Sequence, residues 1–342
     1  MATSRPKVWT VIPRRHGLGL LLWVLAALQA GAESVRIVVI SDLNGSYGST
    51  EYSSNVHRTV AAIVDLAPDL VVSTGDMVAG QRNPALSDGE VRAMWQAFHA
   101  AVTDPLARAG IPMAVTPGNH DASAYRGFEH ERRIFANEWQ DRRPALTFVE
   151  DDSYPFFYAF DIGPARLVSL DATTIGRLDT AQMRALEQVF DGAGPARIVF
   201  SHMPLWPFTE GRETHIIGDQ DLEILLERVG VDLHLSGHHH AFYPGHIDRF
   251  SVIAQAELGG GSRSLIGTDK TGPKTITLLD ILSDGTIRVS ALQGPDFRTA
   301  VDIRTLPERL ITQERVIRRI DTVPSGAVEL SLIHISEPTR PF

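Results

Sequence analysis

An α/β fold with mixed sheets is the class this sequence predicts, on three observations. Short β-branched runs alternate with segments of helical apolar spacing through the first two-thirds of the chain. A hairpin signal closes the last third. A chain of 342 residues that is 43% apolar and 21% charged suits one large globular domain. No internal repeat, low-complexity block or linker divides it.

The elements follow in order. Val35–Ile40 is a buried-type strand, and Ser54 to Ala67 places Val56, Val60, Ile63 and Val64 at helical spacing. Leu70–Ser73 is the second strand. Ser87 and Glu90 form a capping-box signature for a helix running to about Arg108, and Pro112–Val115 is the third strand. Tyr125 to Asn137 reads as a helix, with Phe156–Phe160 and Leu167–Leu170 as paired strands around Gly163-Pro164. Thr180 to Phe190 and Asp219 to Val229 are helical, and Arg197–Phe200 and Val231–Leu235 are strands. From Val252 the pattern turns to β, and Thr275–Leu282 faces Thr286–Leu292 across Ser283-Asp284-Gly285.

Both ends are set aside from the fold. Residues 1–32 carry Arg5, Lys7, Arg14 and Arg15 with no acidic residue, then an apolar run from Gly17 to Leu28 and the small-x-small Ala30-Gly31-Ala32. That is the pattern of a cleaved signal peptide, and the run is too short to span a bilayer core. The expectation is export to the periplasm or medium, a mature start near Glu33 and no membrane span afterwards. Residues 330–342 resemble the translation of a sequencing-library adapter and are read as an artefact, which leaves 33–323 as the domain.

Charge and cysteine content narrow the chemistry. The net charge of −9 becomes −13 once the four basic residues of the leader are removed. So acidic a body repels phosphate backbones, so no nucleic-acid partner is expected. With no cysteine, disulfides, thiolate metal sites and cysteine nucleophiles are excluded, and any metal must be held by oxygen and imidazole.

Five strand exits carry such ligands. They are Ser41-Asp42-Leu43-Asn44, Gly75-Asp76, Gly118-Asn119-His120-Asp121, Ser201-His202 and Gly237-His238-His239-His240. In open α/β sheets, ligands bind outside the carboxyl ends of strands, so five polar clusters at five such ends converge on one place. Any one alone is ordinary: Gly-Asp is a common turn, Asp42 can start a helix, and a lone histidine is usually structural. Their succession is not.

With these five blocks, the chain from Val35 to Leu292 resembles the calcineurin-like metallophosphoesterases. The resemblance implies a four-layer fold, a double β-sheet sandwich flanked by helices, with two transition metals (Mn, Fe or Zn) at one end. It implies Asp42 and His240 on the first metal, with Asn44 beside them, Asp76 bridging, and Asn119, His202 and His238 on the second. His120, oriented by a carboxylate such as Asp121, would protonate or stabilise the leaving group. Two such cations can activate a bridging hydroxide at neutral pH and neutralise both oxygens of an in-line displacement. The expected function is an exported metal-dependent phosphoesterase acting on mono- or diesters of a small molecule.

One departure qualifies this. The first block is usually Asp-x-His in the family, and Asn44 stands in the histidine position, an amide oxygen being the weaker ligand. The alternative is therefore a catalytically lapsed metal- or ligand-binding protein of the same fold. Tyr47 is read as a loop aromatic, because the tyrosine that purple acid phosphatases carry after their second block has no counterpart in Gly75–Ala79. His239, Arg126 and Arg263 are candidate substrate contacts, and the insert Trp206–His215 is a candidate pocket wall. His57 and His99, on helices, are read as surface or satisfied core residues, and His234, in a strand, as structural.

Overall fold

The computed structural model describes residues 34–247, 250–320 and 328–330. The expected leader 1–32 and the tail beyond Leu330 lie outside them. Sixteen strands in this part of the chain form two sheets. The first holds, in spatial order, β13 (Thr299–Ala300), β12 (Ile287–Gln293), β11 (Thr275–Ile281), β1 (Val35–Ile40), β2 (Leu70–Ser73) and β3 (Met113–Val115), with β16 (Val328–Leu330) also beside β12. The second holds β14 (Arg309–Ile311), β15 (Val316–Arg319), β9 (Tyr243–Ile247), β10 (Phe250–Ala254), β8 (Leu233–Ser236), β7 (Ala196–Ser201), β6 (Ala165–Ser169), β5 (Phe157–Ile162) and β4 (Thr147–Ser153).

Pairing register explains where the polar exits go. In the first sheet β1, β2 and β3 are mutually parallel, Ile37 opposite Leu70 and Val71 opposite Met113. In the second, β6, β7 and β8 are parallel, Val168 opposite Val199 and Val199 opposite His234. Parallel strands end on the same side, so each sheet delivers its loops to one edge.

Side-chain alternation stacks the layers. Tyr158 and Phe160 of β5, Leu167 of β6, Ile198 and Phe200 of β7 and Ile253 of β10 share one core with β1, β11 and β12. Their neighbours Phe157, Ala159, Val168, Val199, Val252 and Ala254 face a second core. That core is closed by helices α6 (Thr180–Val189) and α7 (Gln220–Arg228) through Leu186, Leu222 and Leu226. The outer face of the first sheet is closed by α1 (Ser54–Leu66) and α2 (Asp88–Phe98) through Val56, Val60, Ile63, Met94 and Trp95. The layers are helix, sheet, sheet, helix, the double sandwich the resemblance implied.

Several local expectations need correction. Val64 points outward, 37% exposed, while Val56, Val60 and Ile63 are buried. The Ser87–Glu90 capping box forms, the Glu90 N–H donating to Ser87 Oγ and the Ser87 N–H to Glu90 Oε2. The helix it opens widens into a π-helical turn over His99–Thr103 before α3 (Asp104–Arg108), because Pro105 has no N–H to continue the ladder. The helix expected from Tyr125 starts later, as α5 (Glu129–Asp141) after the four-residue α4 (Asn119–Ala122), since Gly127 takes a φ of 101°. Strand β4 was not anticipated. Among the histidines read as surface or structural, His57 is exposed, while His99 and His234 are buried with Thr103 and Ser201 hydroxyls as partners.

The glycines at the exits let loops touch one another. A Cβ on Gly118 would lie 2.1 Å from the Asp76 backbone nitrogen, and one on Gly237 2.1 Å from Ser41 Oγ. Gly118→Ala should therefore push the Asp76 loop away from α4 and cost about 1–3 kcal/mol, read as a lowered urea midpoint. An unchanged midpoint would show that the loops do not pack this closely.

Candidate metal centre

The two sheet edges meet through polar backbone and side-chain contacts. The Asp42 N–H donates to the Gly75 carbonyl at 3.0 Å, and the Leu43 N–H to the Asp76 carbonyl at 2.9 Å. From the other sheet, the His238 N–H donates to Asp42 Oδ2 at 3.1 Å, and the Gly237 N–H to the His202 carbonyl at 3.1 Å. This route demands unusual backbone. Among the described residues seven non-glycine positions have positive φ, and Asp42, Asp76, Gln81, His238 and His240 are five of them. Strain of that kind persists where the surrounding contacts over-determine it.

One group of acceptors gathers around His202, which is fully buried. Its Nδ1 lies 2.8 Å from the Thr74 carbonyl, which can only accept, so the ring proton sits there and Nε2 is left with a lone pair. That Nε2 faces Asn119 Oδ1 at 3.0 Å, His238 Nδ1 at 3.2 Å and Asp76 Oδ2 at 3.3 Å. The amide of Asn119 is fixed with its oxygen inward, because its nitrogen donates to Gln81 Oε1 at 2.7 Å and Gln81 in turn donates to Ser123 Oγ at 2.9 Å. His238 Nε2 lies 3.4 Å from His215 Nδ1, and Arg212 donates to the same atom at 3.1 Å. His215 Nδ1 is thus the acceptor, His238 carries its proton on Nε2, and its Nδ1 lone pair turns inward.

A second group pairs Asp42 with His240. His240 Nδ1 donates to the Gly261 carbonyl at 2.9 Å, which leaves Nε2 facing Asp42 Oδ1 at 3.1 Å. Asp42 Oδ1 is buried and receives no hydrogen bond of good geometry, whereas Oδ2 takes Ser41 Oγ and the His238 N–H.

Four acceptors around one space, with the proton of each imidazole directed away, is what a cation requires and what a hydrogen-bonded core avoids. Ligands about 2.1 Å from one ion stand roughly 3.0–3.4 Å apart at octahedral or tetrahedral angles. The observed separations of 3.0, 3.2 and 3.3 Å around His202 and 3.1 Å at Asp42–His240 fit that spacing. Asp76, His202 and His238 by themselves place ligand atoms within 4.8 Å of one another.

Burial lowers the His202 pKa, but the Asp76 carboxylate outweighs it and lifts the group to about 9. Burial likewise pushes Asp76 and Asp42 up, and His202 and His240, respectively, pull them below the usual carboxylate range.

The remaining expected residues divide. Asn44 is buried and lines the cavity beside these groups, its Nδ2 donating to the Val78 carbonyl at 3.3 Å. His120 sits on the rim, its Nδ1 donating to the Gly80 carbonyl at 2.9 Å and its Nε2 4.0 Å from Asp76 Oδ2. Asp121 does not orient it. That carboxylate is consumed by the N–H groups of Met77, Val78 and Gly118 at 2.8, 2.9 and 3.0 Å, and so ties the second exit to the third. His239 does not face substrate either. It is fully buried, Nδ1 accepting the Phe208 N–H and Nε2 donating to the His215 carbonyl, which moors the Trp206–His215 insert. Arg126 is exposed and off the cavity lining, and Tyr125 lines it instead. Arg263 lines it, as does the insert through Arg212 and His215. The cavity measures about 390 Å³. Gln81 was missed, and nothing in its loop sequence marks it.

The comparisons with known proteins give the family and the fold. The model of the calcineurin-like phosphoesterases matches residues 35–242, and the chain belongs to that family, which implies a dimetal centre. The fold is similar to that of purple acid phosphatase PPD1 from yellow lupin (Lupinus luteus) seeds, at a TM-score of 0.60 and 17% identity over 78% of this chain and 52% of that one. The chain thus spans about half the lupin protein's length. It is also similar to GAP50, the anchor in the inner membrane complex of Plasmodium, at a TM-score of 0.51 and 12% identity over 88% of this chain and 97% of that one. No curated protein matches the chain. Among the described residues no helix is long and apolar enough to cross a membrane.

Metal uptake should release a proton. His202 must lose the proton it holds up to about pH 9 before its Nε2 can bind an ion. Manganese affinity should therefore rise about tenfold per pH unit below 9, with about one proton released per chain. The metal-free protein should lose His202-linked stability as pH climbs from 6.5 towards 9. Calorimetric titration in buffers of different ionisation enthalpy reads the proton count, and a value near zero would remove His202 from the ligand set.

Proposed function

We propose that this protein is an exported metal-dependent phosphoesterase that hydrolyses esters of a small phosphate-bearing molecule. The observation that carries the reading is the convergence of Asp76, Asn119, His202 and His238 lone pairs on one buried space, with Asp42 and His240 beside it. Asp42, His240 and Asn44 would hold a first ion, and Asn119, His202 and His238 a second, with Asp76 shared. When bound, two such ions supply a nucleophile at neutral pH and neutralise charge on the phosphoryl group.

The chain's own groups do the rest. The Gly80 carbonyl holds the His120 ring with Nε2 towards the cavity, where a proton on that atom can pass to the departing oxygen. Tyr47, whose ring centroid is 5.3 Å from that of His120, and Tyr125 give the cavity an aromatic rim beside this histidine. The Gln81–Asn119 and Thr74–His202 hydrogen bonds keep ligands from rotating away.

His202→Ala should lower turnover of p-nitrophenyl phosphate by more than about a hundredfold, with loss of metal. His120→Ala should lower kcat by about 10²–10⁴-fold and leave metal content intact. Parallel turnover assays and elemental analysis of both variants test this. Turnover retained in His202→Ala would overturn the metal assignment, and metal loss in His120→Ala would make that residue a ligand. A wild-type protein that binds manganese yet turns over neither mono- nor diester would instead be the lapsed form that Asn44 allows.

A further inference from the structure

Arg212 and Arg263 both line the cavity, and both are half-buried. Arg212 donates to His215 Nδ1 at 3.1 Å, and Arg263 donates to the His238 carbonyl at 2.5 Å. Neither contact involves an anion, and among the described residues neither guanidinium has a carboxylate within ion-pair distance. Among the described residues, Asp76 is the sole acidic one on the lining. Two guanidinium groups facing one cavity with no carboxylate in ion-pair contact are costly to hold, and a bound anion removes that cost.

Charge counting says which anion. Two divalent ions against Asp42, Asp76 and a bound hydroxide would leave one positive charge, and the two arginines raise that to three. The dianion of a phosphate monoester neutralises two of these and leaves one positive charge for a further anionic group. Arginine is the side chain suited to recognising a carboxylate or phosphate by paired hydrogen bonds. His215 stands between Arg212 and His238, its ring stacked on that of His238 at 5.7 Å, so the arginine wall abuts the ligand set directly.

We infer that Arg212 and Arg263 form a second anion subsite, and that the substrate is a phosphate ester carrying a further anionic group on its leaving portion. The inference rests on the phosphoesterase reading and names the substrate class of that same site.

The test compares two non-hydrolysable probes by calorimetry on the manganese-loaded full chain: methylphosphonate, and phosphonoacetate, which adds one carboxylate. Wild type should bind phosphonoacetate at least about tenfold more tightly, the worth of one charge-assisted hydrogen bond. The Arg212→Gln/Arg263→Gln protein should bring the ratio close to one, and Arg212→Lys should keep part of it. Thermal denaturation of each variant establishes that it is folded, and each single Gln variant should lower the ratio should the double variant fail to fold. A wild-type ratio near one, a preference that survives in the Gln variants, or equal loss of both probes would overturn the second subsite. Equal loss would place the arginines on the scissile phosphate instead. Failure of the underlying reading looks different: wild type would bind neither probe and turn over no p-nitrophenyl phosphate.

Discussion

Everything at this site depends on keeping protons away from one small space. Imidazole, amide and carboxylate groups packed together would normally settle their lone pairs by hydrogen bonding to one another. Here that exit is closed by backbone carbonyls, which can only accept. Thr74 takes the proton of His202, Gly261 that of His240 and Gly80 that of His120. The inward nitrogens are left as bases beside Asp76, Asn119 and Asp42, and a cation is the partner that satisfies them together. Asp42 Oδ1, buried and without a hydrogen bond, belongs to the same set of unsatisfied acceptors.

The fold exists in this form because two parallel strand edges must be brought into register across a sandwich. Neither sheet holds all of the proposed ligands: the first contributes Asp42, Asp76 and Asn119, and the second His202, His238 and His240. Their loops are stitched by short backbone hydrogen bonds and by Asp121, a buried carboxylate that spends its acceptors on three N–H groups of the first sheet's exits. Left-handed backbone at Asp42, Asp76, His238 and His240 is the conformational cost, offset by the apolar cores on either side.

The strand exits were legible because each β-branched run ends abruptly in Gly, Asp, Asn or His, and parallel topology then leaves those residues one place to go. Edge elements were not legible. Strand β4, Thr147–Ser153, is largely solvent-facing and carries three carboxylates, so no apolar alternation announces it. Asp121 and His239 were misread for a related reason. Adjacency in sequence to a ligand says nothing of which loop the neighbouring side chain meets, and both turned to backbone partners brought in by other segments. Gln81 was invisible because its role comes only from the left-handed turn that aims it at Asn119.

An acidic chain with a locally basic cavity favours small anions and disfavours long polyanions, which a net charge of −9 repels before they reach the arginine wall. That combination fits the proposed small phosphate-bearing substrate. Metal stoichiometry tests the two-ion ligand set most directly. Elemental analysis of the protein after equilibrium dialysis against manganese should find two ions per chain, and one in Asp42→Ala. Fewer than two in the wild-type protein, or two retained in Asp42→Ala, would contradict the account.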